Sequence, residues 1–230
     1  GGSPWVWLGL RKRADGPQGA CGDTERAALH CGINLSCTWN TEAAYEYGRM
    51  LAKETLGVGR HMILGPGVNL MRTPLNGRNF EYYGEDPILA GKMATAYIKG
   101  VQSLDVAPAI KHFAANNQEN HRWLSSSNVD ERTLRELYFV PFEMAVKEAD
   151  VWVIMSCYNR LNGIFGAENY WLQHQVAKKE WGFDGIMVSD CNAVHDARKA
   201  ALGGLDLEMG SNHFKDNGAI LNMVKSGEVP

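Results

Sequence analysis

The chain has 230 residues, of which 45% are hydrophobic and 21% charged, and its formal net charge is −3. This composition is ordinary for a globular protein, and the length suits one large α/β domain or two small ones. The small negative charge argues against a nucleic-acid partner, and the absence of an apolar run of about 18 residues argues against a membrane span. No secretion signal is visible at the start, so the compartment, cytoplasmic or secreted, stays open.

The cysteines predict no metal centre. There are five of them, scattered and without a CxxC pair, which argues against a disulfide scaffold and a zinc site. The sequence also contains no HExxH motif and no phosphate-cradling glycine loop. We therefore expect the protein to need neither a metal nor an organic cofactor.

Apolar spacing and capping residues predict helices that alternate with short apolar strands. The first helix has Asn40 or Thr41 as its N-cap, the second has Pro87 in its first turn, and the third is interrupted by Pro141. The predicted helices cover 40–56, 86–104, 130–149, 169–182, a segment near 192–202 and one near 216–226. The predicted strands cover 106–113, 151–156, 185–190 and 205–209, preceded by a short apolar run within 60–70.

Strands that alternate with helices predict a parallel sheet covered by helices. The strands are continuously apolar, as expected when both faces of a sheet are buried. A dinucleotide-binding fold would need a GxGxxG fingerprint, which the sequence lacks, so a (β/α)8 TIM-type barrel fits better. Only about five or six strands are clear, against the eight of a full barrel. We therefore expect residues 1–230 to form a single barrel domain that is incomplete or truncated.

Polar side chains stand where the predicted strands end. In a barrel, active sites lie at the C-terminal ends of the strands, so these residues are expected to meet in one pocket. The strand ends carry Lys111, His112, Met155, Tyr158, Asn159, Asp190 and Glu208, and two long loops carry Asp15 and Arg78.

Each of these residues also has a purely structural interpretation. An aspartate after a strand, such as Asp190, is most often the N-cap of the next helix. Lys111 could belong to a wet surface loop, and Arg78 could pair with Glu81 as loop scaffolding. Their joint placement favours function, because a carboxylate among cations and hydrogen-bond donors stays ionised, as a nucleophile must.

Six segments in order resemble the N-terminal barrel domain of glycoside hydrolase family 3, the β-glucosidase-like group. The resemblance runs from about residue 13 to the end of the chain. The segments are GPGVNLMRTPLNGRNFEYYGEDP, AIKHFAANNQE, ERTLRELYFVPFEMAVKEA, VIMSCYNRLNG, EWGFDGIMVSD and GGLDLEMG.

The resemblance implies a retaining β-glycosidase that hydrolyses terminal β-D-glucosyl or related residues of a β-linked glucoside or oligosaccharide. It implies that the Asp of VSD, Asp190, is the catalytic nucleophile and forms a covalent glycosyl-enzyme. The substrate-binding residues that it implies are Asp15, Arg78, Lys111, His112, Met155 and Tyr158.

Three features depart from the family pattern. Cys191 follows the nucleophile where the family usually has Trp, and the segment after DGPQG is shortened, with Cys21 near the place of a sugar-binding Arg and Arg26 further on. The family's acid/base Glu comes from a following α/β sandwich domain, which we expect to be absent from this chain. The alternative is therefore a catalytically deficient, sugar-binding fragment or degenerate barrel.

Two other enzyme classes are less consistent with the residues. A Schiff-base aldolase would use Lys111 as an uncharged amine, but the neighbouring acids favour an ammonium. The N-acetylglucosaminidases of the same family carry a different loop after KHF, with a His as acid/base, and neither His121 nor His195 sits in that pattern.

Overall fold

The computed structural model describes residues 13–21 and 27–230. Arg26 and the opening segment 1–12 lie outside the described residues. The strands are β1 (Arg13–Asp15), β2 (Met62–Leu64), β3 (Ala107–Phe113), β4 (Ser126–Ser127), β5 (Val153–Ser156), β6 (Arg160–Leu161), β7 (Ile164–Phe165) and β8 (Ile186–Val188).

Helices connect these strands. The α-helices are α1 (Gly32–Ser36), α2 (Thr41–Gly57), α3 (Pro87–Gln102), α4 (Glu131–Thr133), α5 (Val140–Ala149), α6 (Ala197–Gly203) and α7 (Ala219–Ser226). Tighter 3-10 turns cover Asn79–Glu81, Gly166–Glu168 and Asp216–Gly218, and wider π-type helices cover Leu134–Tyr138 and Trp171–Glu180. No helix in the described part of the chain is long and apolar enough to cross a membrane.

The main sheet is parallel and has five strands in the order β1-β2-β3-β5-β8. The strands follow one another in chain order without the reversal that marks a doubly wound sheet. This sequential order is that of a (β/α)8 barrel, and the predicted α/β fold with a parallel sheet is confirmed. The segment predicted as a strand at 205–209 contributes only an isolated bridge between Leu207 and Val188.

Capping explains where the main helices begin. The side-chain oxygens of Asn40, Asp86 and Asp130 accept hydrogen bonds from backbone N–H groups at the starts of α2, α3 and α4. The prediction of Asn40 as an N-cap is therefore confirmed. The helix predicted near 192–202 begins only at Ala197. Asp196 is its N-cap, and the Asp196 side chain accepts a hydrogen bond from the backbone N–H of Lys199.

The core lies on both faces of the sheet. An inner apolar cluster is formed by Met62, Leu64, Ala107, Ala109, Val153, Met155, Val188 and Met209. On the outer face, α2 and α3 pack closely where Gly48 and Gly100 meet the neighbouring backbone, and a Cβ on Gly48 would lie 2.3 Å from the carbonyl oxygen of Tyr97. Burial on both faces accounts for the continuously apolar strands. Because the strands are parallel, their C-terminal ends meet at one edge, where the polar residues lie.

Candidate active site

A cavity of about 300 Å³ opens at the C-terminal edge of the sheet. Its volume is at the lower end of the range for small-molecule sites and suits a single sugar ring. The structure brings the seven site residues that the resemblance implies to this cavity, while their roles stay predictions; Asn159 and Glu208, expected in the same pocket, do not line it. The lining residues are Asp15, Leu64, Arg78, Lys111, His112, Arg122, Met155, Tyr158, Asp190 and Cys191.

Asp190 lies beyond the end of β8 and is only 7% exposed. Its Oδ1 accepts a hydrogen bond from the backbone N–H of Cys191 at 2.7 Å. Its Oδ2 is buried and receives no hydrogen bond from the described residues, although Nε2 of His112 lies 3.5 Å away. A buried carboxylate oxygen without a donor is costly, so this oxygen is suited to a group that a ligand brings.

The Asp190 carboxyl has opposing influences on its pKa. Burial is the largest and raises the pKa above the usual aspartate value. The Cys191 N–H, the charges of Arg78 and Lys111, and the Tyr158 hydroxyl act in the other direction, because each of them favours the ionised form. Burial, and after it the charge of the same carboxylate, raises the pKa of Tyr158, so the phenol stays protonated.

Glu81 joins two of the three cations that line the cavity. Lys111 Nζ lies 3.2 Å from Glu81 Oε2 and 3.3 Å from Asp15 Oδ1. The other oxygen of Glu81 accepts a hydrogen bond from Nε of Arg78. The structural interpretation of Arg78 as a partner of Glu81 is thus correct, and it coexists with a place in the cavity wall. The structure disfavours the hypothesis of a Schiff-base aldolase, because Lys111 is paired with two carboxylates rather than held as a free amine.

His112 is buried against the cavity. Its pKa is lowered well below the usual histidine value by burial and by the nearby charges of Arg78, Lys111 and Arg122. The imidazole is therefore neutral at neutral pH.

Arg122 is a cavity residue that the sequence interpretation missed. Its guanidinium carbon lies 4.0 Å from the ring centre of Tyr158, and its Nη1 pairs with Glu119 at 2.8 Å. The ring of Trp123, which is 36% exposed, lies 4.4 Å from that of Tyr158. The signal was the position of Arg122 in the loop after β3, the strand that carries Lys111 and His112.

Other acids and polar residues considered from the sequence serve the scaffold. Asn159 donates to the carbonyls of Ala115 and Arg160, and Glu208 accepts from the backbone N–H groups of His213 and Phe214. Neither residue lines the cavity. Among the lining residues, only Asp15 and Asp190 are carboxylic acids, and Asp15 is paired with Lys111.

The described residues contain no group of three or more His, Cys, Asp or Glu side chains placed to hold a metal ion. The cavity instead offers carboxylates, cations and a neutral imidazole. This set matches a ligand edged with hydroxyls, because hydroxyls both donate and accept hydrogen bonds.

Comparison with known proteins agrees with this chemistry. Residues 19–230 match the Glycosyl hydrolase family 3 N terminal domain. The chain is 48% identical over 195 residues to the thermostable beta-glucosidase B of Acetivibrio thermocellus, covering 85% of this chain and 26% of that protein. It is 40% identical over 249 residues to an exo-alpha-(1->6)-L-arabinopyranosidase of Bifidobacterium longum, covering 100% of this chain and 33% of that one.

Solved structures show the same fold. The GH3 beta-glucosidase of Bifidobacterium adolescentis has a TM-score of 0.91 and 42% identity, over 95% of this chain and 32% of that chain. Beta-glucosidase 3B of Thermotoga neapolitana in complex with glucose has a TM-score of 0.86 and 39% identity, over 95% of this chain and 33% of that chain. The chain thus spans between 26% and 33% of the length of these relatives.

Proposed function

The chain belongs to glycosyl hydrolase family 3, and we propose that it supplies the sugar-binding pocket and the nucleophile of a retaining β-glycosidase. The observation that carries this proposal is the Asp190 carboxylate, buried in the cavity wall with Oδ2 free of donors. An oxygen so placed can attack the anomeric carbon of a bound sugar.

The proposed reaction has two steps. Asp190 Oδ2 forms a bond to the anomeric carbon while the bond to the leaving oxygen breaks, and that oxygen takes a proton from a general acid. Water, deprotonated by the same group, then breaks the Asp190–sugar bond and releases the sugar with retained configuration. Arg78 and Lys111 favour the ionised form of Asp190 that the first step needs.

Sugar recognition is assigned to the remaining polar lining. The Asp15 carboxylate accepts hydrogen bonds from hydroxyls, while the ammonium of Lys111 and the guanidinium groups of Arg78 and Arg122 donate them. Bonds that involve a charged partner are the stronger ones, so this lining favours a fully hydroxylated ring. Met155 supplies an apolar contact in the cavity lining.

We take residues 1–230 as a single barrel domain. The general acid is proposed to come from outside these residues. Retaining enzymes place two carboxyl groups about 5–5.5 Å apart on either side of the scissile bond. The other carboxylate that lines this cavity, Asp15, is bound to Lys111, and Glu81 is bound to two cations. The resemblance implies an acid/base Glu in a following α/β sandwich domain.

The proposed substrate is a terminal β-D-glucosyl residue or a related β-glycoside. The support is that beta-glucosidases are prominent among the relatives, one of them in complex with glucose. The arabinopyranosidase relative extends the candidates to other pyranosides. Cys191, beside the nucleophile, gives this part of the wall a small side chain.

A second candidate is a sugar-binding protein with little turnover. It is favoured by the lack of a free second carboxylate among the described residues that line the cavity. In that case the same pocket would bind glucose, but ordinary glycosides would remain intact.

The test is covalent trapping with a dinitrophenyl 2-fluoroglucoside, whose leaving group needs no proton. Mass spectrometry should find the fluorosugar on the peptide that contains Asp190, and an Asp190→Asn variant should stay unlabelled. A label on Asp15 or Glu81 would refute the assignment of the nucleophile. Residues 1–230 alone should leave alkyl glycosides nearly intact under either candidate, because proton donation typically contributes about 10²–10⁴-fold. Hydrolysis of alkyl glycosides once the α/β sandwich domain is supplied then separates the two candidates.

A further inference from the structure

Asn69 contacts His112 at three positions. Asn69 follows β2 along the chain and is 3% exposed. Its side-chain Nδ2 donates to the backbone oxygen of His112 at 2.9 Å, and its Oδ1 accepts from the backbone N–H of His112 at 2.9 Å. The same Oδ1 lies 3.1 Å from Nδ1 of the imidazole.

The two backbone contacts determine the orientation of the Asn69 amide. A carbonyl oxygen of the backbone needs a donor, so Nδ2 must face it, and the backbone N–H needs an acceptor, so Oδ1 must face that group. Oδ1 cannot donate. The contact between Oδ1 and Nδ1 of His112 is therefore a hydrogen bond only if Nδ1 carries the proton.

Tyr82 does not require the opposite tautomer. Its hydroxyl lies 3.3 Å from Nδ1 of His112. The same hydroxyl can donate to the backbone oxygen of Asn116 at 3.4 Å and accept from the side-chain amide of Asn116 at 3.4 Å. Its donor and acceptor capacities are thus both used without the imidazole.

We propose that Asn69 is a positioning residue that holds His112 in the neutral Nδ1–H tautomer and so makes Nε2 a hydrogen-bond acceptor in the cavity. The tautomer follows from the contacts of Asn69 alone. The use of Nε2 by a sugar hydroxyl rests on the proposed function.

The consequence concerns the pair formed by Nε2 and Asp190. Nε2 lies 3.5 Å from Asp190 Oδ2, and burial together with the nearby cations keeps the imidazole neutral. With Nε2 unprotonated and Asp190 ionised, two acceptors face each other, and Oδ2 of Asp190 lacks a donor among the described residues. A ligand hydroxyl has one proton to donate, and donation to Nε2 at this point gives the imidazole its partner, so a sugar lacking that hydroxyl should bind poorly.

The first test measures the tautomer without any ligand. The protein is labelled with ¹⁵N-histidine, and the His112 signals are assigned by their loss in His112→Gln. The ¹⁵N shifts should show a protonated Nδ1 and an unprotonated Nε2 at neutral pH. A protonated Nε2 in the unmodified protein would overturn the proposal, whether or not the protein proves to be a glycosidase.

Variants of Asn69 test the cause. Asn69→Ala should mix the two tautomers of His112, while Asn69→Asp should retain Nδ1–H, because a carboxylate oxygen still accepts there. The matched control is Asn117→Ala, since Asn117 binds the carbonyl of Leu70 and joins the same two segments without contacting the imidazole. Unchanged His112 shifts in Asn69→Ala, or a tautomer change in Asn117→Ala, would contradict the assigned role. If Asn69→Ala does not fold, Asn69→Asp and the unmodified protein decide.

A binding experiment tests whether a sugar hydroxyl donates to Nε2 of His112. Glucose and its singly deoxygenated analogues are titrated against the unmodified protein and Asn69→Ala. Loss of one hydrogen bond corresponds to about a 2- to 13-fold weaker Kd. One deoxy analogue should bind weakly to the unmodified protein, and its affinity should fall little further in Asn69→Ala. Equal additional losses for all analogues would contradict the link between Asn69 and one hydroxyl.

Discussion

Replacing Glu81 by Gln should strongly destabilise the barrel domain, because Glu81 neutralises the buried Lys111 and the partly buried Arg78. The side chain of Glu81 is 5% exposed, those of Lys111 and Arg78 are 4% and 19% exposed, and both cations bind the Glu81 carboxylate. Breaking a buried ion pair by removing one partner costs about 3–5 kcal/mol. Lys111 keeps the exposed Asp15 as a partner at 3.3 Å, whereas Arg78 loses the carboxylate that it binds. At about 2–4 °C per kcal/mol for a domain of this size, the Tm should fall by about 6–20 °C.

Denaturant and thermal unfolding measure this loss. Glu148→Gln is the matched control, because Glu148 pairs with Lys92 at 3.0 Å on the surface, where both side chains are at least 41% exposed. An exposed pair contributes about 0–1 kcal/mol, so the control should remain close to the unmodified protein. If Glu81→Gln lost no more stability than Glu148→Gln, the view of Glu81 as the central counter-charge would be refuted.

Three further predictions concern the cavity. Asp190→Asn should reduce kcat on a dinitrophenyl glucoside, whose leaving group needs no proton, by several orders of magnitude, while glucose still binds. Kinetics and calorimetry would check this, and turnover within tenfold of the unmodified protein would contradict it. Tyr158→Phe should move the acid limb of the kcat/KM profile to higher pH, because Tyr158 lowers the pKa of Asp190 and Asp190 must be ionised to act. A shift of that limb to lower pH would show that Tyr158 does not favour the ionised form of Asp190. His112 has a folded-state pKa below its unfolded value, so its contribution to stability is complete above about pH 6.5 and is lost as the pH falls. His112→Gln should therefore flatten the acid side of the stability profile between that pH and the folded-state pKa, and an unchanged slope would show that the imidazole is not held neutral.

Local sequence signals were sufficient for much of the fold. Asn40 and Asp130 begin their helices as short polar caps do, and the apolar segments at 106–113 and 151–156 contain the central strands β3 and β5. Alternation of strands and helices predicted the parallel sheet. Because parallel strands end at one edge, the same reasoning predicted that the polar residues after the strands would meet there.

Other features depended on the tertiary structure. The three-residue strand β1 contains no apolar run, so only its pairing with β2 identifies it. Lys111 reaches Asp15 across 96 positions of the sequence, and Asn69 reaches His112 across 43. Periodicity and capping describe neighbours within a few residues along the chain, and they carry no information on such distant contacts. The bond of Glu81 to Lys111 and the role of Asn69 therefore became visible only when the strands were placed side by side.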